Sequence, residues 1–306
     1  MNLEENNPPP DQPLEPGDAP SRPPEPALLK TDQQLQRVPP TEPQVSLPPA
    51  TVLPEDIRVP WGWIDLLLFV VLALAGTFLF SILLAIGFAL FGVPLSRLQK
   101  PGSAEGLFVV ISQGILFFVL LGYLFLQTRV RFHAPFWRTL GWRPLQTHRV
   151  RGAWAYLGLI VSGLSLALLV QVGSAIFGTK TQLPMEQLFQ DRRTAMLLVL
   201  MAVLLAPVVE ETIFRGYLYP LIARTFGITT GIAATGILFG LLHAPQLWGG
   251  WVQIGLLILV GIVFTYVRAV TRTVLGSYLL HVSYNSFISI AFLVGTHGLR
   301  VLHPGP

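Results

Sequence analysis

The chain has 306 residues, of which 52% are hydrophobic and 12% charged, against about 25% charged in an ordinary soluble domain. A mean hydropathy of +0.60 excludes a water-soluble globule, and the lack of cysteine excludes disulfides, thiol nucleophiles and Cys-ligated metals. The net charge of +4 combines −6 over residues 1–60 (10 acidic, 4 basic) with +10 over the rest (6 acidic, 16 basic). Basic loops beside apolar runs are what membrane orientation requires, so no nucleic acid is implied.

In chain order, residues 1–60 hold 16 of the 26 prolines, set among Glu, Asp, Gln and Ser. Such a segment buries too little apolar surface to offset its ordering entropy, which predicts a disordered, proline-rich acidic tail. Trp61 and Trp63 follow, where a tail meets an apolar run and aromatic interfacial anchors are expected. Apolar runs then predict membrane spans near 64–92, 106–128, 153–177, 194–222, 229–243, 252–268 and 273–296. The fifth and sixth are short, and the break between them (His243-Ala-Pro-Gln-Leu-Trp-Gly-Gly) holds helix breakers. The reading is an all-α, polytopic transmembrane helical bundle over residues 61–300, with about seven spans and a range of six to eight.

Loop charge orients the bundle. Arg129, Arg131, Arg138, Arg143, Arg149 and Arg151 lie between the second and third spans, and basic loops face the cytoplasm. Alternation then places the N-terminal tail inside the cell and the C-terminus outside, in an inner or plasma membrane.

Ionisable groups at membrane depth cost about 2.5–3.5 kcal/mol each on insertion scales and mark function. Three clusters stand out: Glu210, Glu211 and Arg215; His243, with Phe239 four residues before it; and His281 with Asn285. Residues four apart share a helix face, so Glu211 can pair with Arg215. Glu210 lies about 100° away from Glu211, which leaves it free to face a different environment. Counted at about 1.5 Å per residue from the span ends, the three clusters reach overlapping levels, which suggests one site. Gly236 and Gly240 read as small residues permitting close helix packing. His133, His148, His297 and His303 fall in loops or near the chain end and receive no role.

This set of carboxylates, imidazoles and a carboxamide contains no strong nucleophile, so attack by an activated water is the natural chemistry. A desolvated glutamate is a general base, a histidine can share the water, and a histidine with an asparagine can donate to an oxyanion. Glu and His at membrane depth also suit a proton-coupled transporter, and a catalytically silent scaffold acting through the tail is a third reading.

The order Glu210-Glu211-Thr-Ile-Phe-Arg215, Phe239-Gly-Leu-Leu-His243 and His281-Val-Ser-Tyr-Asn285 resembles the CPBP (CAAX protease and bacteriocin-processing, or Abi) intramembrane proteases, over about residues 190–295. The resemblance, to type II CAAX prenyl endopeptidases, implies a peptide hydrolase of membrane-associated, in some members prenylated, substrates. It implies Glu210 as base with His243 polarising the water, and His281 with Asn285 as the oxyanion hole. Glu211 and Arg215 would hold the geometry, and Phe239 would pack beside it. The family is described both as metalloproteases and as metal-independent glutamate proteases. Glu210, His243 and His281 would be the zinc ligands in the first case, but no His-Glu-x-x-His pair is present, so a cofactor-free site is expected.

Overall fold

The computed structural model describes residues 54–98, 103–145, 152–178, 183–189 and 191–300. The proline-rich tail up to residue 53, the basic residues Arg149 and Arg151, and His148 and His303 lie outside them. The described residues are helical and contain no strand. Among the described residues, six helices are long and apolar enough to cross a membrane. They are α1 (Trp63–Leu90), α2 (Ala104–Arg131), α3 (Gly152–Phe177), α4 (Arg192–Phe226), α6 (Trp251–Thr271) and α7 (Val274–Gly295), with the shorter α5 (Ile228–Leu242) after α4. The sequence expectation of seven apolar segments holds in position. The sixth is not short, however, since it runs through Thr271.

Apolar side chains exposed around α1, such as Ile64, Leu74 and Phe78, fit a helix that meets lipid rather than water. Its first turn is fixed by Asp65, which accepts from the Gly62 N–H (2.8 Å), pairs with Arg131 (2.8 Å) and accepts from Gln127 (3.3 Å), tying α1 to α2. At the start of α4, the Asp191 carboxylate accepts from the Thr194 N–H (3.0 Å) and hydroxyl (2.9 Å), capping the helix. The Thr194 N–H bond is the main cause holding the Asp191 carboxyl below its usual range.

Helices α5 and α6 make the closest contact. A Cβ on Gly236 would sit 2.5 Å from the Ile262 backbone nitrogen, and one on Gly240 would run into Ile258, so only glycine permits this approach. Gly163 on α3 does the same against the Leu280 carbonyl of α7.

The helix ends fall into two groups. At one end Thr273 Oγ1 donates to the Arg143 carbonyl (2.6 Å), Arg268 pairs with Asp56 (2.9 Å) and Arg224 donates to the carbonyls of Val59 and Trp61. Residues 54–60, compositionally part of the tail, form a helical turn at Glu55–Ile57 and pack here. At the other end Met185 N–H donates to Gln246 (3.1 Å) and Phe189 meets Phe292. Trp61 and Trp63 part company. Trp63 is 45% exposed, as an interfacial anchor should be, whereas Trp61 is fully buried and stacks on Tyr217 (4.8 Å between centroids, 27°). Trp61 is therefore a packing residue, because its ring and its N–H both find partners on α4.

Candidate active site

Helix α4 is not a uniform α-helix. It runs as π-helix over Met201–Leu205 and again over Glu211–Leu218, with Ala206–Glu210 as α-helix between them. Each π stretch ends two residues before a proline, Pro207 and Pro220. Proline offers no N–H and displaces the carbonyl four residues earlier, which forces the ladder to widen. The Ala206 N–H reaches back five residues to Met201, and Pro207 has no N–H for Ala202. The Asn285 side chain supplies the missing donor: its Nδ2 lies 2.8 Å from the Ala202 carbonyl.

The two neighbouring glutamates sit in different surroundings, as the 100° offset predicts. Glu211 is fully buried, and its Oε1 accepts from Arg215 Nη1 (2.9 Å) and from His281 Nδ1 (2.9 Å). Arg215, also fully buried, is held by α6: Nη2 donates to the Gly261 carbonyl (2.9 Å) and Nε to Thr265 Oγ1 (3.2 Å). Its guanidinium lies over the rings of Phe239 (4.5 Å) and Phe264 (5.3 Å). A buried ion pair needs this many partners to offset its desolvation.

Glu210 faces the histidines. Its Oε1 lies 4.0 Å from His243 Nε2 and its Oε2 lies 3.8 Å from His281 Nε2. The carboxylate is 16% exposed, so it is withdrawn from solvent without being sealed. His243 caps the C-terminal end of α5, and its Nδ1 lies 2.7 Å from the Phe239 carbonyl. A carbonyl only accepts, so that nitrogen carries the proton and Nε2 of the neutral ring presents its lone pair towards Glu210. His281 is also held through Nδ1, which donates to Glu211, and its Nε2 turns to Glu210. Phe239 and Phe264 pack on the His281 ring, at 6.0 and 4.6 Å between centroids.

The structure thus brings together Glu210, Glu211, Arg215, Phe239, His243 and His281. Asn285, one turn beyond His281, reaches the π-helical turn of α4 instead of any of these groups. Gly261, Thr265 and Phe264, which hold Arg215 and His281, were not expected from sequence. A glycine and a threonine in an apolar run carry no signal beyond packing. Thr212 is a further unforeseen contact, taking the Trp142 N–H (3.0 Å) from the loop after α2.

This geometry agrees with the comparison to known proteins, in which residues 192–287 match the family described as type II CAAX prenyl endopeptidase Rce1-like. The chain carries an Rce1-like domain. That segment is similar to a CAAX-type protease domain and sits in a chain whose described residues include six long apolar helices. The Rce1-like segment begins at the first turn of α4 and ends two residues past Asn285, so it contains every residue of the cluster. No curated protein and no solved structure matches the chain.

Glu210, His243 and His281 are the candidate ligands for a zinc ion. Zinc bound tetrahedrally at about 2.1 Å holds its ligand atoms about 3.4 Å apart. The separations from Glu210 are 3.8 and 4.0 Å, and among the described residues no group of three His, Cys, Asp or Glu is arranged to hold a metal ion. Glu210, His243 and His281 as placed do not fit zinc.

Proposed function

We propose that the chain hydrolyses peptide bonds of membrane-associated, lipid-anchored substrates with a water activated by Glu210. The observation that carries this is the Glu210 carboxylate set 3.8–4.0 Å from two imidazole nitrogens inside a membrane span. These gaps are too long for direct hydrogen bonds. A water about 2.8 Å from both a carboxylate oxygen and an imidazole nitrogen separated in this way subtends about 90° between them, an accessible hydrogen-bond geometry.

In this reading Glu210 takes a proton from water while the oxygen bonds to the scissile carbonyl carbon. His243 Nε2 accepts a hydrogen bond from the same water and orients it. The carbonyl oxygen becomes an oxyanion, which His281 Nε2–H and the second Asn285 amide hydrogen stabilise. In this step both His281 ring nitrogens carry a hydrogen, Nδ1–H on Glu211 and Nε2–H on the oxyanion. The C–N bond then breaks, and the proton held by Glu210 passes to the leaving amine. Arg215 keeps Glu211 ionised and fixed, so the base and its buttress stay distinct.

Orientation follows the charge. Among the described residues, the end that gathers residues 54–62 bears Arg58, Arg129, Arg131, Arg138, Arg143, Arg224, Arg268 and Arg272. The opposite end bears Arg97, Arg192, Arg193 and Arg300. This bias supports our reading of the first end, and the tail with it, as cytoplasmic.

The test is cleavage of a fluorogenic farnesylated peptide by the purified full chain in liposomes. Glu210→Ala and His243→Ala should each lose about 100-fold or more in kcat, and a chelator should leave the wild type unchanged. Cleavage by both variants at the wild-type rate would end the proposal.

A further inference from the structure

The strap of residues 54–62 lies outside the Rce1-like segment; besides a Glu55–Arg143 pair (3.1 Å) to the loop after α2 and the Gly62 N–H on Asp65 of α1, it is tied to two helices, α4 and α6. On α4, the Trp61 indole N–H donates to the Tyr217 carbonyl (3.0 Å) and its ring stacks on Tyr217. Tyr217 belongs to the π stretch that starts at Glu211. Seven residues on, Arg224 donates to the carbonyls of Val59 and Trp61, and Ile57 packs on Tyr219 and Ala223. On α6, Arg268 donates to the Asp56 carboxylate (2.9 Å) and to its backbone carbonyl (3.1 Å). Arg268 is 1% exposed, and the Tyr219 ring lies 5.5 Å from its guanidinium.

Those two helices are the ones whose register sets the catalytic cluster. Helix α4 supplies Glu210, Glu211 and Arg215, and α6 supplies the Gly261 carbonyl and the Thr265 hydroxyl that grip Arg215. Thr265 stands one turn before Arg268. A slide of α4 along α6 would break the Arg215 bonds and swing the Glu211–His281 contact with them. A π-helical stretch is the part of α4 least able to resist such a slide, because its hydrogen-bond ladder is the weaker one.

We infer that the strap is a positioning element for the reaction proposed above, on which this inference rests. Trp61 fixes the π stretch of α4, and Asp56 fixes α6 through Arg268, so that the strap holds the two helices in the register that aims Glu210. Trp61 and Asp56 are positioning residues: neither touches Glu210, His243 or His281. A chain truncated to the Rce1-like segment would lack this clamp.

The experiment compares the full-length wild type, Trp61→Phe, Asp56→Asn and Glu210→Ala in liposomes with the farnesylated peptide. Trp61→Phe keeps a stacking ring but removes the N–H donor together with the volume of the pyrrole ring, and Asp56→Asn keeps an oxygen acceptor for Arg268. Both are expected to fold. Each should lower kcat about tenfold and leave KM within about twofold, with the thermal midpoint within a few degrees of the wild type. Wild-type kcat in both variants would overturn the inference, and so would a loss of rate matched by an equal loss of folded protein in size-exclusion chromatography. A slow Glu210→Ala beside unaffected strap variants removes the strap role alone. Cleavage by Glu210→Ala at the wild-type rate removes the underlying reaction.

Discussion

The Glu211–Arg215 pair offers the sharpest energetic test of the site. Both side chains are fully buried, and Arg215 makes three hydrogen bonds, to Glu211, Gly261 and Thr265. Arg215→Met leaves the Glu211 carboxylate buried with the His281 N–H as its remaining strong partner. Breaking a buried ion pair in this way costs about 3–5 kcal/mol. The Gly261 carbonyl loses less, since it also accepts from Thr265 Oγ1 (2.8 Å). At about 2–4 °C per kcal/mol for a chain of this size, the single variant should melt about 10 °C lower. Glu211→Gln strands the arginine instead and should cost a similar amount. The double variant Glu211→Gln/Arg215→Met removes both charges from a low-dielectric core and should recover more than half of either loss. Thermal unfolding in detergent, followed by tryptophan fluorescence, reads all four proteins of the cycle. A double variant as unstable as the sum of the singles would refute the claim that these two charges stabilise each other. Cleavage should stay low in the double variant even where stability returns, because His281 has lost the anion behind Nδ1.

Three further outcomes are expected. Glu210→Gln should abolish cleavage while leaving the thermal midpoint unchanged or slightly higher, because the carboxylate is part-buried and sits beyond hydrogen-bond distance of both imidazoles. Gly236→Val should destabilise by about 1–3 kcal/mol or more through overpacking, seen as a lower midpoint, since its Cβ would meet the α6 backbone at 2.5 Å. Asp191→Asn should keep capping α4 at neutral pH, with a stability change of about 0.5 kcal/mol or less. The native Asp191 carboxyl is held below the unfolded value of 3.8, so its contribution is present above that value and lost as pH falls through the native one. The Asn variant should therefore show a shallower loss of stability below pH 3.8 in an acid titration.

Much of this architecture was legible in the sequence, and for a physical reason. A bilayer demands long apolar runs, so the helices announce themselves, and a charge placed inside such a run is costly enough to stand out. Glu210, Glu211, Arg215, His243 and His281 were all visible on that ground, and so were the different surroundings of the adjacent glutamates. What supports them was not visible. Gly261 and Thr265 act through a backbone carbonyl and a hydroxyl that any apolar helix could carry. Trp61 and Trp63 are chemically identical and two residues apart, and only the fold decides which ring turns inwards. The widened turns of α4 were not visible either: Pro207 and Pro220 are tolerated inside a spanning helix when other groups satisfy the freed backbone, and here Asn285 does so for Ala202.

The widened turn before Pro207 has a consequence for how this helix tolerates change. It fits one extra residue into nearly the arc that a regular turn covers, so the two halves of α4 keep an α-helical phase across it. Deleting one residue between Met201 and Leu205 would close that turn and leave Glu210 facing nearly the same way, at the loss of the open Ala202 carbonyl that Asn285 now meets. An inserted residue has no such slack to take it up and would turn Glu210 by about 100°, away from both imidazoles. At this point of the chain a lost residue is easier to absorb than a gained one.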